Sequence, residues 1–138
     1  MKRVLLFMVI AICFAACGNK IEKKIESTYE NGQPKYVKSF TKEGECIKEA
    51  EYYETGQVKM EGALQDGHRE GEWKAFFPNG KPQSTGFFKD GLRTGKAVLY
   101  YEDGTIHMEG FYKEGKHCGK WRYYDEGGNL LREDDYGE

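Results

Sequence analysis

The chain has 138 residues, the size of one domain, with 21 Lys and Arg against 23 Asp and Glu. A net charge of −2 supplies no general field for a phosphate backbone, which argues against nucleic acid as the partner. Glycine is 18 of 138 residues, about 13% against roughly 7% in average proteins, and ten Tyr, eight Phe and two Trp accompany it. Only three prolines are present, so the chain is neither collagen-like nor proline-rich.

The first element is a removable leader. Met1-Lys2-Arg3 is basic, and Val4 to Ala16 is an uncharged run. A membrane-spanning helix needs roughly 20 apolar residues, so the run is too short to span. Basic, apolar and small residues in that order are the layout of a secretory signal. The stretch Phe14-Ala15-Ala16-Cys17 resembles the bacterial lipoprotein signal, with Phe14 where Leu is usual. The resemblance implies removal of residues 1–16 and a lipid on Cys17. That lipid would hold the protein on a membrane of the bacterial cell envelope, facing the periplasm or the surface. Residues 17–28, the lipidated cysteine and a short polar stretch, read as a tether.

Residues 29–138 form an internal repeat. Gly32, Gly56, Gly80, Gly104 and Gly128 are spaced by 24. Gly62, Gly86 and Gly110 keep the same step, as do Gly67, Gly91 and Gly115, and Gly71, Gly95 and Gly119. Phe76-Phe77 corresponds to Tyr52-Tyr53 and Tyr100-Tyr101, and Trp73 to Trp121, with Ala97 between them. A fixed period of this length marks a repeat architecture. The stretch 29–52 is a degenerate first unit, with Lys38 and Ile47 at two glycine positions and Gly44 one residue out of register. Residues 125–138 hold a truncated last unit.

Each unit carries two runs that alternate in period 2, which predicts strands. Val58, Met60, Gly62 and Leu64 share one face of the first run, and Lys59 and Glu61 the other. The second run is Glu72 to Phe77, or Lys96 to Tyr101. Asp-Gly and Asn-Gly pairs between runs are hairpin chemistry, because these turns need positive φ. The predicted fold is all-β: an elongated single-layer antiparallel sheet, a meander of repeated hairpins. Glycines inside strands need a reason. Gly62, Gly86 and Gly110 are expected to make room for the rings of Trp73 or Trp121.

The stretches YYETGQVKMEGALQDGHREGEWKAFFPNG and YYEDGTIHMEGFYKEGKHCGKWRYYDEGG resemble the MORN repeat in its bacterial variant form. The resemblance covers about residues 29–134. It implies a single-layer sheet with a binding or scaffolding role, and some bacterial relatives carry an antitoxin label.

No catalytic chemistry emerges. There is no nucleophile elbow, P-loop or His-Glu-x-x-His. The carboxylates recur with the repeat, as solvated faces do. His117-Cys118 has no second pair at metal-ligand spacing, so neither metal nor cofactor is expected. Cys46 and Cys118 fall about three units apart, on the order of 30 Å, beyond disulfide reach.

A single layer leaves aromatic rings available, and Trp and Tyr are favoured binding anchors. The candidate partner-binding residues are Trp73, Phe76, Phe77, Tyr100, Tyr101, Trp121 and Tyr123. The first reading is a non-enzymatic envelope lipoprotein that binds a protein partner. The alternatives are a glycan or cell-wall module that stacks sugars on aromatic rings, and an antitoxin- or immunity-like inhibitor.

Overall fold

The computed structural model describes residues 21–138. The leader and Cys17 lie outside the described residues. Ten strands, in chain order, build one antiparallel sheet. They are β1 (Glu22–Thr28), β2 (Pro34–Phe40), β3 (Cys46–Tyr52), β4 (Val58–Gln65), β5 (His68–Phe76), β6 (Pro82–Lys89), β7 (Leu92–Tyr100), β8 (Ile106–Lys113), β9 (Lys116–Tyr124) and β10 (Leu130–Asp135). Each strand pairs with its sequence neighbours, so the sheet is an uninterrupted meander. At roughly 4.8 Å per strand it extends about 43 Å.

Two turn designs alternate. At one end, the backbone N–H of Tyr53 donates to the Gln57 carbonyl and that of Gly56 to the Tyr53 carbonyl. Gly56 closes this three-residue loop at φ +85°. The same pair of bonds recurs at Tyr29, Phe77, Tyr101 and Asp125. At the other end, the turns Asp66-Gly67, Asp90-Gly91 and Glu114-Gly115 have positive φ at both residues, which matches the right-handed strand twist. Each of these turns has only two residues, and His68 to Gly71 already belong to β5. Gly71, φ +67°, sits in a bulge: Gly62 and Ala63 face Trp73 and Glu70, which leaves Gly71 and Glu72 as extra residues.

The degenerate first unit keeps the period by compensation. Its inner turn is the longer type, closed by Thr41 and Gly44. Its bulge has one extra residue, Ile47, between the partners of Ser39 and Phe40. One residue gained in the turn offsets one lost from the bulge, which explains the displaced Gly44.

One expectation needs correction. Residues 22–28, read as part of a tether, form β1 and pair with β2. All seven side chains are exposed. Lys and Glu dominate this edge strand, and such charges discourage edge-to-edge pairing.

The core is thin and lies on the sheet itself. Trp121 is fully buried and Trp73 nearly so. A Cβ built on Gly62 would overlap the Trp73 indole, and one on Gly110 the Trp121 indole. The two indole N–H groups donate to the carbonyls of Ala63 (3.0 Å) and Phe111 (3.1 Å). Gly86 departs from the expectation. Ala97 stands where the other units have Trp, and no ring covers Gly86. Cys46 in β3 and Cys118 in β9 are both free, six strands apart.

Candidate functional site

The two faces of the sheet are built differently. The register puts Met60, Gly62, Leu64, Arg69 and Trp73 on one face, together with Phe88, Arg93, Tyr112, His117 and Trp121. These side chains form a continuous ladder of rings and cations. The Arg69 guanidinium lies 4.0 Å from the Trp73 ring centre and 5.4 Å from that of Phe88. Arg93 follows at 5.2 Å from Phe88 and 5.4 Å from Tyr112. Tyr112 meets Trp121 edge-on at 5.1 Å, and the His117 ring lies 4.2 Å from Trp121. Arg69, Arg93 and His117 are 24 residues apart, so the ladder is a product of the repeat. Each ring–cation contact is worth about 0.5–2 kcal/mol, depending on exposure.

The opposite face carries ion pairs on the same period. Lys48 bonds Glu61 at 2.5 Å, Lys96 bonds Glu109 at 3.0 Å, and Lys120 bonds Glu133 at 2.6 Å. Hydrogen bonds from Lys96, and then from the Tyr124 hydroxyl, hold the Glu109 carboxyl below its ordinary range. Lys120 and Arg122 do the same for Glu133. The ladder is interrupted once, where Glu72 and Thr85 occupy the Lys and Glu positions. Burial, and secondarily Glu49, raises the Tyr36 phenol. In the first unit a Lys38–Glu49 ion pair, 3.8 Å, takes the place of the glycine–indole pair.

The sequence-derived candidates separate into three groups. Trp73 and Trp121 are core, and their rings are covered by Arg69 and His117 of the same chain. Phe76, Phe77, Tyr100 and Tyr101 cluster at the outer-turn end, half-buried. There the hydroxyl of Tyr101 donates to the Tyr124 carbonyl at 2.9 Å, as Tyr53 does to Phe76 and Tyr29 to Tyr52, both at 2.8 Å. Tyr123 is half-buried beneath Arg132, 4.2 Å away. The candidates are not brought into one patch.

Two exposed rings were missed by the sequence reading. Phe87 and Phe111 are 41% and 48% exposed on the ion-pair face. They follow Gly86 and Gly110 directly, so strict alternation from the glycines would have put them on the opposite face. Among the described residues, no group of three His, Cys, Asp or Glu side chains could hold a metal ion.

The model of the MORN repeat variant matches residues 69–90, 93–114 and 118–137, in step with the hairpins described above. The chain belongs to the MORN repeat variant family. Arrays of this repeat are generally non-catalytic binding or scaffold modules. The three matched MORN segments begin at Arg69, Arg93 and Cys118, on the second strands of successive units. No curated protein sequence matches the chain. A chain in the structure of a Glycosylation Associate Protein (Gap123) complex from Streptococcus agalactiae is similar over 75% of this chain, at 16% identity and a TM-score of 0.46. The match spans 18% of that longer chain.

Proposed function

We propose that this protein is a non-enzymatic lipoprotein of a bacterial cell envelope that receives a protein partner on its MORN sheet. The observation that carries this reading is the open single layer itself. Both faces meet solvent, and Phe87, Leu92 and Phe111 stay 41% to 53% exposed. Exposed apolar side chains on a rigid repeat surface are what a partner covers. The anchor rests on the leader and Cys17 in the sequence. Glycan stacking is disfavoured, because Arg69 and His117 already cover the indole faces a sugar would need.

Metabolic labelling with an alkynyl fatty acid tests the anchor. The full chain should take up label and Cys17→Ser should not. Label on both variants, or on neither, contradicts the anchor. Chemical cross-linking in intact envelopes tests the partner. One discrete adduct, weakened by Phe87→Asp with Phe111→Asp, is expected. An adduct pattern indifferent to those changes contradicts binding on that face.

A further inference from the structure

The ring–cation face has one unfilled seat. Gly62 and Gly110 each hold an indole, whereas Gly86 faces Ala97 and holds none. Above Gly86 lies a cavity of about 130 Å³, walled by Trp73, Phe88, Met60 and Leu99. A cavity of about 150 Å³ can hold a benzene molecule, so this space admits one ring as it stands and a larger one once the Arg93 side chain moves outward. Arg69 and Arg93 also line it, and no carboxylate does. Neither arginine has a carboxylate partner within ion-pair distance among the described residues. In an acidic protein this is a local concentration of unpaired positive charge.

Arg93 marks the seat. Arg69 and His117 stack on the Trp of their own units, at 4.0 Å and 4.2 Å. Arg93 has no such ring, and its Nη1 is the nearest atom to a Cβ built on Gly86, at 3.4 Å. The guanidinium lies where neighbouring units hold an indole. The acceptor is repeated too. Ala63 and Phe111 carbonyls receive indole N–H groups, while no side chain among the described residues donates to the equivalent carbonyl of Phe87.

We infer that the slot over Gly86 takes an aromatic side chain, flanked by Asp or Glu, from a protein partner. The ring completes the ladder between Trp73 and Tyr112, with Arg93 displaced outward onto its face. The flanking carboxylates meet the guanidiniums of Arg69 and Arg93, which favour paired carboxylate oxygens. The two guanidiniums repel an amine or quaternary ammonium ligand. This inference rests on the reading of the chain as a protein-binding module and names the chemistry it would select.

The chain holds only two tryptophans, so nitrogen-15 labelling of Trp gives two indole signals, from Trp73 beside the slot and Trp121 remote from it. The full chain in nonionic detergent is titrated with the capped peptide Asp-Trp-Glu. The Trp73 signal should shift and saturate while Trp121 stays in place. Asp-Ala-Glu should leave both unmoved, and Lys-Trp-Lys should bind roughly threefold to tenfold more weakly. Ala97→Trp fills the seat from within and should abolish the Trp73 response. Arg69→Gln with Arg93→Gln, which leaves the seat open, should weaken binding by a similar factor to the lysine peptide. No shift at high peptide concentration, equal binding of the lysine peptide, or an undiminished response in Ala97→Trp each overturns the inference. A flat titration beside a discrete envelope adduct removes the slot and leaves the protein-binding reading standing.

Discussion

The indole of Trp121 lies over the α-carbon of Gly110, and its Nε1 donates to the Phe111 carbonyl at 3.1 Å. The glycine is required by contact, not by backbone conformation, since only Trp-bearing units forbid a Cβ there. Gly110→Ala should destabilise the domain by about 1–3 kcal/mol through overpacking. Gly86→Ala meets only the mobile end of Arg93 and should stay within about 0.5 kcal/mol of the parent. Urea denaturation of the two variants checks the contrast, and equal losses would count against it.

The outer-turn tyrosines form a second ladder with one rung missing. Tyr53 bonds the Phe76 carbonyl and Tyr101 the Tyr124 carbonyl, but Phe77 between them has no hydroxyl. Tyr53→Phe should cost about 0.5–1.5 kcal/mol. Phe77→Tyr should recover stability of that order by reaching the Tyr100 carbonyl. Urea midpoints read both changes, and a destabilising Phe77→Tyr would show that the units are not equivalent at this position.

Much of the fold is legible in the sequence because one chemical rule repeats. Glycines on a 24-residue step report turns, bulges and indole seats at once. The extent of the turn at Asp66-Gly67 is not legible in the same way, because Gly71 looks like turn chemistry although its positive φ serves a bulge. Glu22–Thr28 is not legible as a strand, because a charged, exposed edge strand has the composition of a linker. Candidate binding residues were harder. A large ring signals either core or anchor, and only the stacking of Arg69 on Trp73 and His117 on Trp121 decides for core. The loss of Trp at Ala97 is legible in the repeat alignment, but its meaning as an empty seat requires the position of Gly86 in space.

Glu114 occupies a φ of +49°, where Asp66 and Asp90 stand in the sister turns. A longer side chain lacks the tolerance of Asn or Asp for that region. Glu114→Asn should raise stability by up to about 1 kcal/mol, read as a higher urea midpoint. A lowered midpoint would show that Glu114 serves another contact.

Acid should loosen the ion-pair face. Lys96 holds the Glu109 carboxyl below its ordinary value, and Lys120 with Arg122 does so for Glu133. A carboxylate lowered in the folded state stabilises above the unfolded range, about pH 4.3. That contribution disappears as pH falls through the lower folded value. The urea midpoint should therefore drop between pH 5 and pH 3, and drop less in Glu109→Gln. Parallel curves for parent and variant would contradict the pairing.

Ala97→Trp tests the equivalence of the units most directly. If Gly86 offers the same seat as Gly62 and Gly110, the new indole enters the cavity of about 130 Å³, stacks beneath Arg93 and raises the urea midpoint. A midpoint lowered by about 1 kcal/mol or more, the usual cost of overpacking, would contradict a repeat in which glycine is the seat of an indole.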